Sequence, residues 1–360
     1  MTTTVTRLPL PVSPAALLPE PWFTAAADPL LWIFVCASIP MLLFGADRLV
    51  DAAVRIARAA GMSTILIGAT IVSLGTTTPE AVVSVRAAIG GEAGISLGNA
   101  VGSIICDTAL IFGLCCTLTA LRKDRFILNR HGWIQLGSGA LLVAVALISW
   151  AVSGDMADVR IGRGVGLLLL GLLVGYMVLS VRWAREKPEL VPQEAAVALS
   201  PNRLLRMVLA SLLALLVGLT LVVLGSELLV GSAGEICRRN HVPEPVIAVT
   251  LVAFGTSLPE LVTAIASVIK GHQELLVGNV IGADILNVLF VVGASATATP
   301  LAVEPVFFRL LLPVMMLVLI LFRAFIFMPG DRFRRWQGIP LLIIYVLFVV
   351  FSVTVFGIGA

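Results

Sequence analysis

The chain has 360 residues, of which 59% are hydrophobic and 12% charged, against roughly 45–50% and about 25% in an ordinary soluble domain. That composition excludes a large aqueous domain, and a formal net charge of +3 spread over loops offers no basic stripe to a nucleic acid. The cysteines Cys36, Cys106, Cys115, Cys116 and Cys237 lie mostly in apolar runs and read as small buried hydrophobes. His131, His241 and His272 fall in short polar connections, so a histidine metal site in the membrane is unsupported.

Residues 1–27, rich in proline and threonine, read as a loose N-terminal tail and not a cleaved signal. Apolar runs bounded by charge or by Gly/Pro clusters then predict ten spans, at 29–58, 63–89, 94–119, 126–150, 161–182, 204–236, 245–269, 274–298, 302–326 and 337–357. The fold class is an all-α integral membrane protein. A polar stretch, 183–203, carries Pro188, Pro192 and Pro201 and divides the spans five and five, giving a first repeat at 28–182 and a second at 204–360. This linker is too short for a regulatory domain. With both termini outside, seventeen of the 24 Lys and Arg residues fall on the inner side and seven on the outer, which makes the linker cytoplasmic.

The second span contains Gly75-Thr76-Thr77-Thr78-Pro79-Glu80, and the seventh, at the matching place in the second half, contains Gly255-Thr256-Ser257-Leu258-Pro259-Glu260. Proline withholds a backbone donor and glycine tolerates unusual dihedrals, so each helix can open there and expose oxygens beside an acid. The register continues without gaps: Gly45 matches Gly225, Gly98-Asn99 matches Gly278-Asn279, Gly102 matches Gly282, Asp107 matches Asn287 and Gly113 matches Gly293. Five spans is an odd number, so the second repeat enters the membrane from the opposite side and equivalent residues are expected near the midplane. The same glycines also suit close helix packing.

The expected meeting point contains Glu80, Glu260, Thr76, Thr77, Thr256 and Ser257 from spans 2 and 7, with Ser103, Asp107 and Asn287 from spans 3 and 8. Ser103 and Asp107 are four apart and share a helix face, whereas Cys106 points about 100° away from Asp107. An all-oxygen set suits Ca2+, since Mg2+ resists dehydration and softer metals draw histidine or thiolate. Each intramembrane acid costs at least ~2.5 kcal/mol. A carrier whose empty form is that expensive crosses mainly when loaded, which favours exchange over uniport, with Na+ or H+ replacing the divalent ion on the same oxygens. Asp47 and Glu227 are left off the site because Arg48 and the helix ends can satisfy them.

In both halves the Gly-Thr-Thr/Ser-x-Pro-Glu segment is followed, at the same spacing, by a second glycine-rich one: Gly98-Asn99-Ala100-Val101-Gly102-Ser103 after Glu80 and Gly278-Asn279-Val280-Ile281-Gly282-Ala283 after Glu260. This pattern resembles the two alpha-repeats of the sodium/calcium exchangers within the cation/calcium exchanger superfamily. The resemblance covers nearly all ten spans. It implies an inverted-repeat fold, a Ca2+ cluster flanked by Na+ sites, and alternating access in which spans 1 and 6 slide against the rest. By the same resemblance, Glu80 and Glu260 match the calcium-ligating glutamates, Thr76 and Thr256 the carbonyl donors, Thr77 and Ser257 the hydroxyl donors, and Ser103, Asp107 and Asn287 the polar positions on spans 3 and 8.

Members of that family usually carry Asn in the first repeat and Asp in the second where this chain has Asp107 and Asn287, so the pair is swapped. Ala283 stands where a hydroxyl would match Ser103, and Asp284 adds a fourth carboxylate where Asn is common and the first repeat has Ile104. Asp284 is a secondary site candidate.

The resulting expectation is a Ca2+/Na+ antiporter of the inner (plasma) membrane, working by alternating access, with no catalytic residue and no cofactor. Its partners are Ca2+, Na+ or H+, and the lipid bilayer, and one copy suffices. A proton-coupled exchanger is the alternative. A remote one, an intramembrane aspartyl hydrolase, needs two acids and a substrate gate but not a duplicated oxygen cage.

Overall fold

The structure is a computed structural model that describes residues 18–19, 21–60, 62–186, 201–240 and 253–357. A helical turn, Pro21–Thr24, leads into α1 (Asp28–Ala60). Then follow α2 (Thr64–Thr76), α3 (Thr78–Ile89) and α4 (Ala93–Leu118), with α2 and α3 bent by 42° at their junction. The first half closes with α5 (Arg125–Ser153), β1 (Arg160–Ile161) and α6 (Arg163–Glu186). The second half runs through α7 (Pro201–Arg239), α8 (Ala253–Thr256), α9 (Leu258–Ile269), α10 (Gln273–Ala298), β2 (Leu301–Ala302), α11 (Phe307–Phe327) and α12 (Gly338–Gly357).

Among the described residues, eight helices are long and apolar enough to cross a membrane, or nine if the bent pair α2 and α3 is one span. The first part of the seventh expected span, 245–252, lies outside the described residues, as do most of the tail and the linker positions 187–200. Two expected spans start later than their apolar runs. Arg160–Ile161 pairs antiparallel with Leu301–Ala302, so the fifth helix begins at Arg163 and the ninth at Phe307. Ile161 and Leu301 are buried, and two apolar residues are too few to separate a strand from a helix end by periodicity.

Burial defines the architecture. The most apolar stretch of α10 is 94% buried and that of α4 is 72% buried, while the other single-helix spans lie between 17% and 44%. Two central helices are therefore wrapped by helices whose large apolar side chains, such as Leu43, Ile148 and Leu213, face outward. The register that aligns Gly75 with Gly255 persists in the backbone: α3 and α9 match end for end, as do α4 and α10, and a π-helical segment interrupts each central helix at Cys106–Phe112 and Asn287–Val292. Gly278 lets α10 approach α2, since a Cβ there would lie 2.0 Å from the Ile65 carbonyl oxygen.

Side-chain bonds fix the surrounding helices. The Tyr176 hydroxyl on α6 donates to the Ala69 carbonyl at 2.9 Å, inside the π turn Gly68–Val72 of α2. Its single proton is used there, which assigns the 3.0 Å contact with His131 Nδ1 to an Nδ1–H donor. His131 is thus buried within α5, inside the expected span 126–150, and not in a polar connection. Asp124 caps α5 by accepting from Phe126 and Ile127, and Gly154, at φ 73°, ends it. Cys36 is exposed on α1, whereas Cys106, Cys115 and Cys116 are buried.

Helices α1 and α7 pack along each other, and a Cβ on Gly218 would lie 2.7 Å from the Leu49 nitrogen. The turn after α9 holds this pair: Lys270 Nζ lies 2.7 Å from Asp47 Oδ1 and 2.5 Å from Asp51 Oδ1, and donates to the Asp47 carbonyl at 3.0 Å. The charge of Asp47 is thus met by a chain-distant lysine and not by Arg48, whose guanidinium lies over the Phe44 ring at 4.7 Å. Position 90, which matches Lys270, is glycine. At the start of α1, Arg239 pairs with Asp28 at 2.5 Å and donates to the Ala26 carbonyl at 2.8 Å.

Candidate functional site

The breaks between α2 and α3 and between α8 and α9 have nearly the same geometry. Thr77 sits at φ −81°, ψ −5° and Ser257 at φ −87°, ψ 9°, the sparsely populated bridge region where functional residues concentrate. Pro79 and Pro259 occupy the first turn after each break, where a missing N–H is tolerated. Glu80 and Glu260 follow directly. Each therefore lies in a helix N-terminal turn, whose free N–H groups and dipole favour an anion. Thr76, Thr77, Ser257, Glu80 and Glu260 are buried, and Thr256 is half-buried.

The central helices supply the remaining groups. Ser103 lies on α4 one turn before Asp107, which is within the π segment, and Asn287 opens the matching segment of α10 three residues after Asp284; all four are buried. Charge repulsion links Glu80 to Glu260 and to Asp107, and links Asp107 to Glu260 and to Asp284. The four acids share one low-dielectric region. The Thr76 hydroxyl lies beside Glu260, and the Ser257 hydroxyl beside Asp107. Cys106 also lies beside Ser257 and Tyr345.

Oxygen atoms of this group remain without a hydrogen-bond partner: Thr77 Oγ1, Glu80 Oε2, Ser103 Oγ, Asp107 Oδ1, Ser257 Oγ, both Glu260 carboxylate oxygens and Asn287 Oδ1. Native proteins leave few buried polar atoms unpaired, and this many acceptors in one place suits a cation. Among the described residues, no three Asp, Glu, His or Cys side chains alone close into a metal-holding cluster. A hard cation with six to eight oxygen ligands would therefore need amide, hydroxyl and carbonyl oxygens here as well.

Asp284 differs from the other acids. Its Oδ2 accepts from Gln135 Nε2 at 2.6 Å and from the Thr108 hydroxyl, while Oδ1 is unpartnered. Sequence reading also passed over Asn99 and Asn279 as site components. Asn99 Nδ2 donates to the Glu80 carbonyl at 3.3 Å and to Ser84 Oγ at 3.0 Å, and its Oδ1 accepts from Thr256 at 3.1 Å. Asn279 Oδ1 is 3.5 Å from the Thr76 hydroxyl. The doubled Gly-Asn pairs carried that signal, whereas Gln135 and Thr108 have no counterpart pattern in the sequence.

The family model for "Sodium/calcium exchanger protein" matches residues 30–182 and 210–354. The chain belongs to the sodium/calcium exchanger family. It is a multi-pass membrane antiporter for cations and not an enzyme, which removes the hydrolase reading. The matched segments are the two halves that flank the polar linker. The chain is 33% identical over 271 residues to a putative antiporter, CaxA, of Alkalimonas amylolytica, covering 74% of this chain and 81% of that one. It is 28% identical over 341 residues to the sodium/calcium exchanger MaX1 of Methanosarcina acetivorans, covering 89% and 97%. Among solved structures it is similar to the sodium-calcium exchanger NCX_Mj soaked with 10 mM Na+ and zero Ca2+, with a TM-score of 0.75 and 29% identity over 90% of this chain and 99% of that one.

Proposed function

We propose that this exchanger moves Ca2+ against Na+ across the inner (plasma) membrane by alternating access between two inverted repeats. Glu80, Glu260, Asp107, Asn287, Thr76, Thr77, Thr256, Ser257 and Ser103 form the transport site, with Asp284 at its edge. The observation that carries the reading is the set of unpartnered buried oxygens drawn from both halves of the chain, including both oxygens of Glu260. Ca2+ accepts many oxygen ligands in flexible geometry, and Na+ binds through the same atom type, so the two compete for one cage. Both termini face outside and the linker is cytoplasmic, as the Lys and Arg distribution favours. One copy contains every proposed ligand, so a monomer suffices.

The fourth carboxylate favours a second reading, proton-coupled exchange, because four acids in one dry region invite neutralisation by H+ as well as by Na+. Vesicles reconstituted with the protein and loaded with calcium separate the two. Efflux should follow an imposed Na+ gradient at constant pH. Efflux indifferent to Na+ but driven by a proton gradient would overturn the Na+ assignment.

A further inference from the structure

The connections 119–124 and 328–337 meet at one end of the bundle. The Lys123 N–H donates to the Asp331 carbonyl at 2.9 Å and the Phe333 N–H to the Leu121 carbonyl at 2.8 Å, so the backbone joins the two loops. Between them lies a cavity of about 80 Å³ lined by Lys123, Met328, Pro329, Arg332, Arg334 and Gln337. Lys123 is buried, donates from Nζ to the carbonyls of Phe325 at 2.7 Å and Met328 at 3.0 Å, and lies over the Phe333 ring at 4.7 Å. An ammonium has three donors, so one is left over. Arg125 reaches the same rim, donating to the Gly330 carbonyl at 3.3 Å.

The cationic charge here is poorly balanced. Arg332, Arg334 and Arg335 are exposed, and none has an ion-pair partner among the described residues. Burial, reinforced by the charges of Arg125 and Arg334, holds the Lys123 ammonium below its ordinary range, while Asp331 acts in the opposite direction. A bias of basic residues toward one side orients a membrane protein, but it does not require them to converge on a cavity. The neighbourhood also has the features of a membrane interface: Trp336 is 46% exposed with its ring against Phe325, and α12, which starts two residues later, presents exposed Ile339 and Ile343.

We propose that this cavity binds the phosphate of an anionic phospholipid, with Arg332, Arg334 and the remaining Lys123 donor on the headgroup and the acyl chains along the Ile339 and Ile343 face of α12. Arginine matches phosphate through two parallel N–H bonds, and lysine adds a point charge. Basic pockets at helix ends on the cytoplasmic side recognise such headgroups in this way. The continuous apolar face beside the cavity favours a lipid over free phosphate, because it offers the acyl chains a surface already turned outward.

The test uses the full chain in neutral detergent, with bound lipid counted by native mass spectrometry and thermal unfolding followed as phosphatidylglycerol, phosphatidylcholine or inorganic phosphate is added. Phosphatidylglycerol should be retained at least tenfold over phosphatidylcholine and should raise the unfolding midpoint. The double variant Arg332→Gln with Arg334→Gln should lose both effects. Arg332→Lys with Arg334→Lys should keep most of them, as should Arg160→Gln with Arg163→Gln on a different connection. Equal retention of the two lipids, or an unchanged preference in the double Gln variant, would overturn the proposal. A full response to inorganic phosphate alone would overturn the lipid assignment. If the double Gln variant folds poorly, the preference of the unaltered protein and of the Lys variant still decides.

Discussion

The Thr256 hydroxyl donates to Asn99 Oδ1 at 3.1 Å, bonding a break residue of the second half to a central helix of the first. The reciprocal pair, Thr76 and Asn279, occupies the equivalent position of the opposite half at each end and is 3.5 Å apart. Each half thus positions the other's candidate ligands. Asn99 does more, because its amide also supports the Glu80 carbonyl and Ser84.

Asn99→Ala should therefore impair exchange more than Asn279→Ala. It removes three contacts in a buried region, each contributing about 0.5–1.5 kcal/mol net, whereas Asn279→Ala removes one long one. Initial Ca2+ flux in vesicles should fall by roughly tenfold or more for Asn99→Ala and by only a few-fold for Asn279→Ala. Equal effects would mean that the 3.1 Å bond does not position the site.

Glu80→Gln and Glu260→Gln retain shape and one oxygen but remove a charge from a divalent site. The loss of a charged ligating group in a dry site commonly costs about 3–5 kcal/mol, so Ca2+ transport should collapse in both. Near wild-type exchange in either variant would refute the central role of the glutamates.

Asp107 and Asn287 occupy matching positions of the two halves and differ by one charge. Asp107→Asn alone should reduce transport, and adding Asn287→Asp should restore much of it, because the number of charges in a compact low-dielectric site outweighs their placement. Altered ion preference is expected, since Ala283 and Asp284 remain. A double variant no better than Asp107→Asn would separate the two positions.

Gly278→Ala tests the packing of α10 on α2. A new Cβ would collide with backbone at 2.0 Å, and overpacking costs about 1–3 kcal/mol or more. The detergent-solubilised variant should unfold several degrees lower. Gly137→Ala, with nothing within 4 Å of its Cβ position among the described residues, should unfold like the parent protein.

Much of this was legible in the chain because bilayer depth makes polar residues conspicuous. Glu80, Glu260, Asp107 and Asn287 stand out in apolar runs, and the doubled motif tied them to one register. What escaped was non-local. Gln135 bonds Asp284 across 149 positions and Lys270 bonds Asp51 across 219, and no periodicity encodes such pairs. The pairing of β1 with β2 was hidden in two residues at each of two helix starts, Arg160–Ile161 and Leu301–Ala302.

Lys270 gives the molecule a handedness that gene duplication alone would not. Here one turn grips α1 through two carboxylates, while the matching turn offers Gly90, which has no side chain to grip with. The lysine therefore makes the two matching turns chemically different, so the halves of the chain are not interchangeable at this end of the bundle.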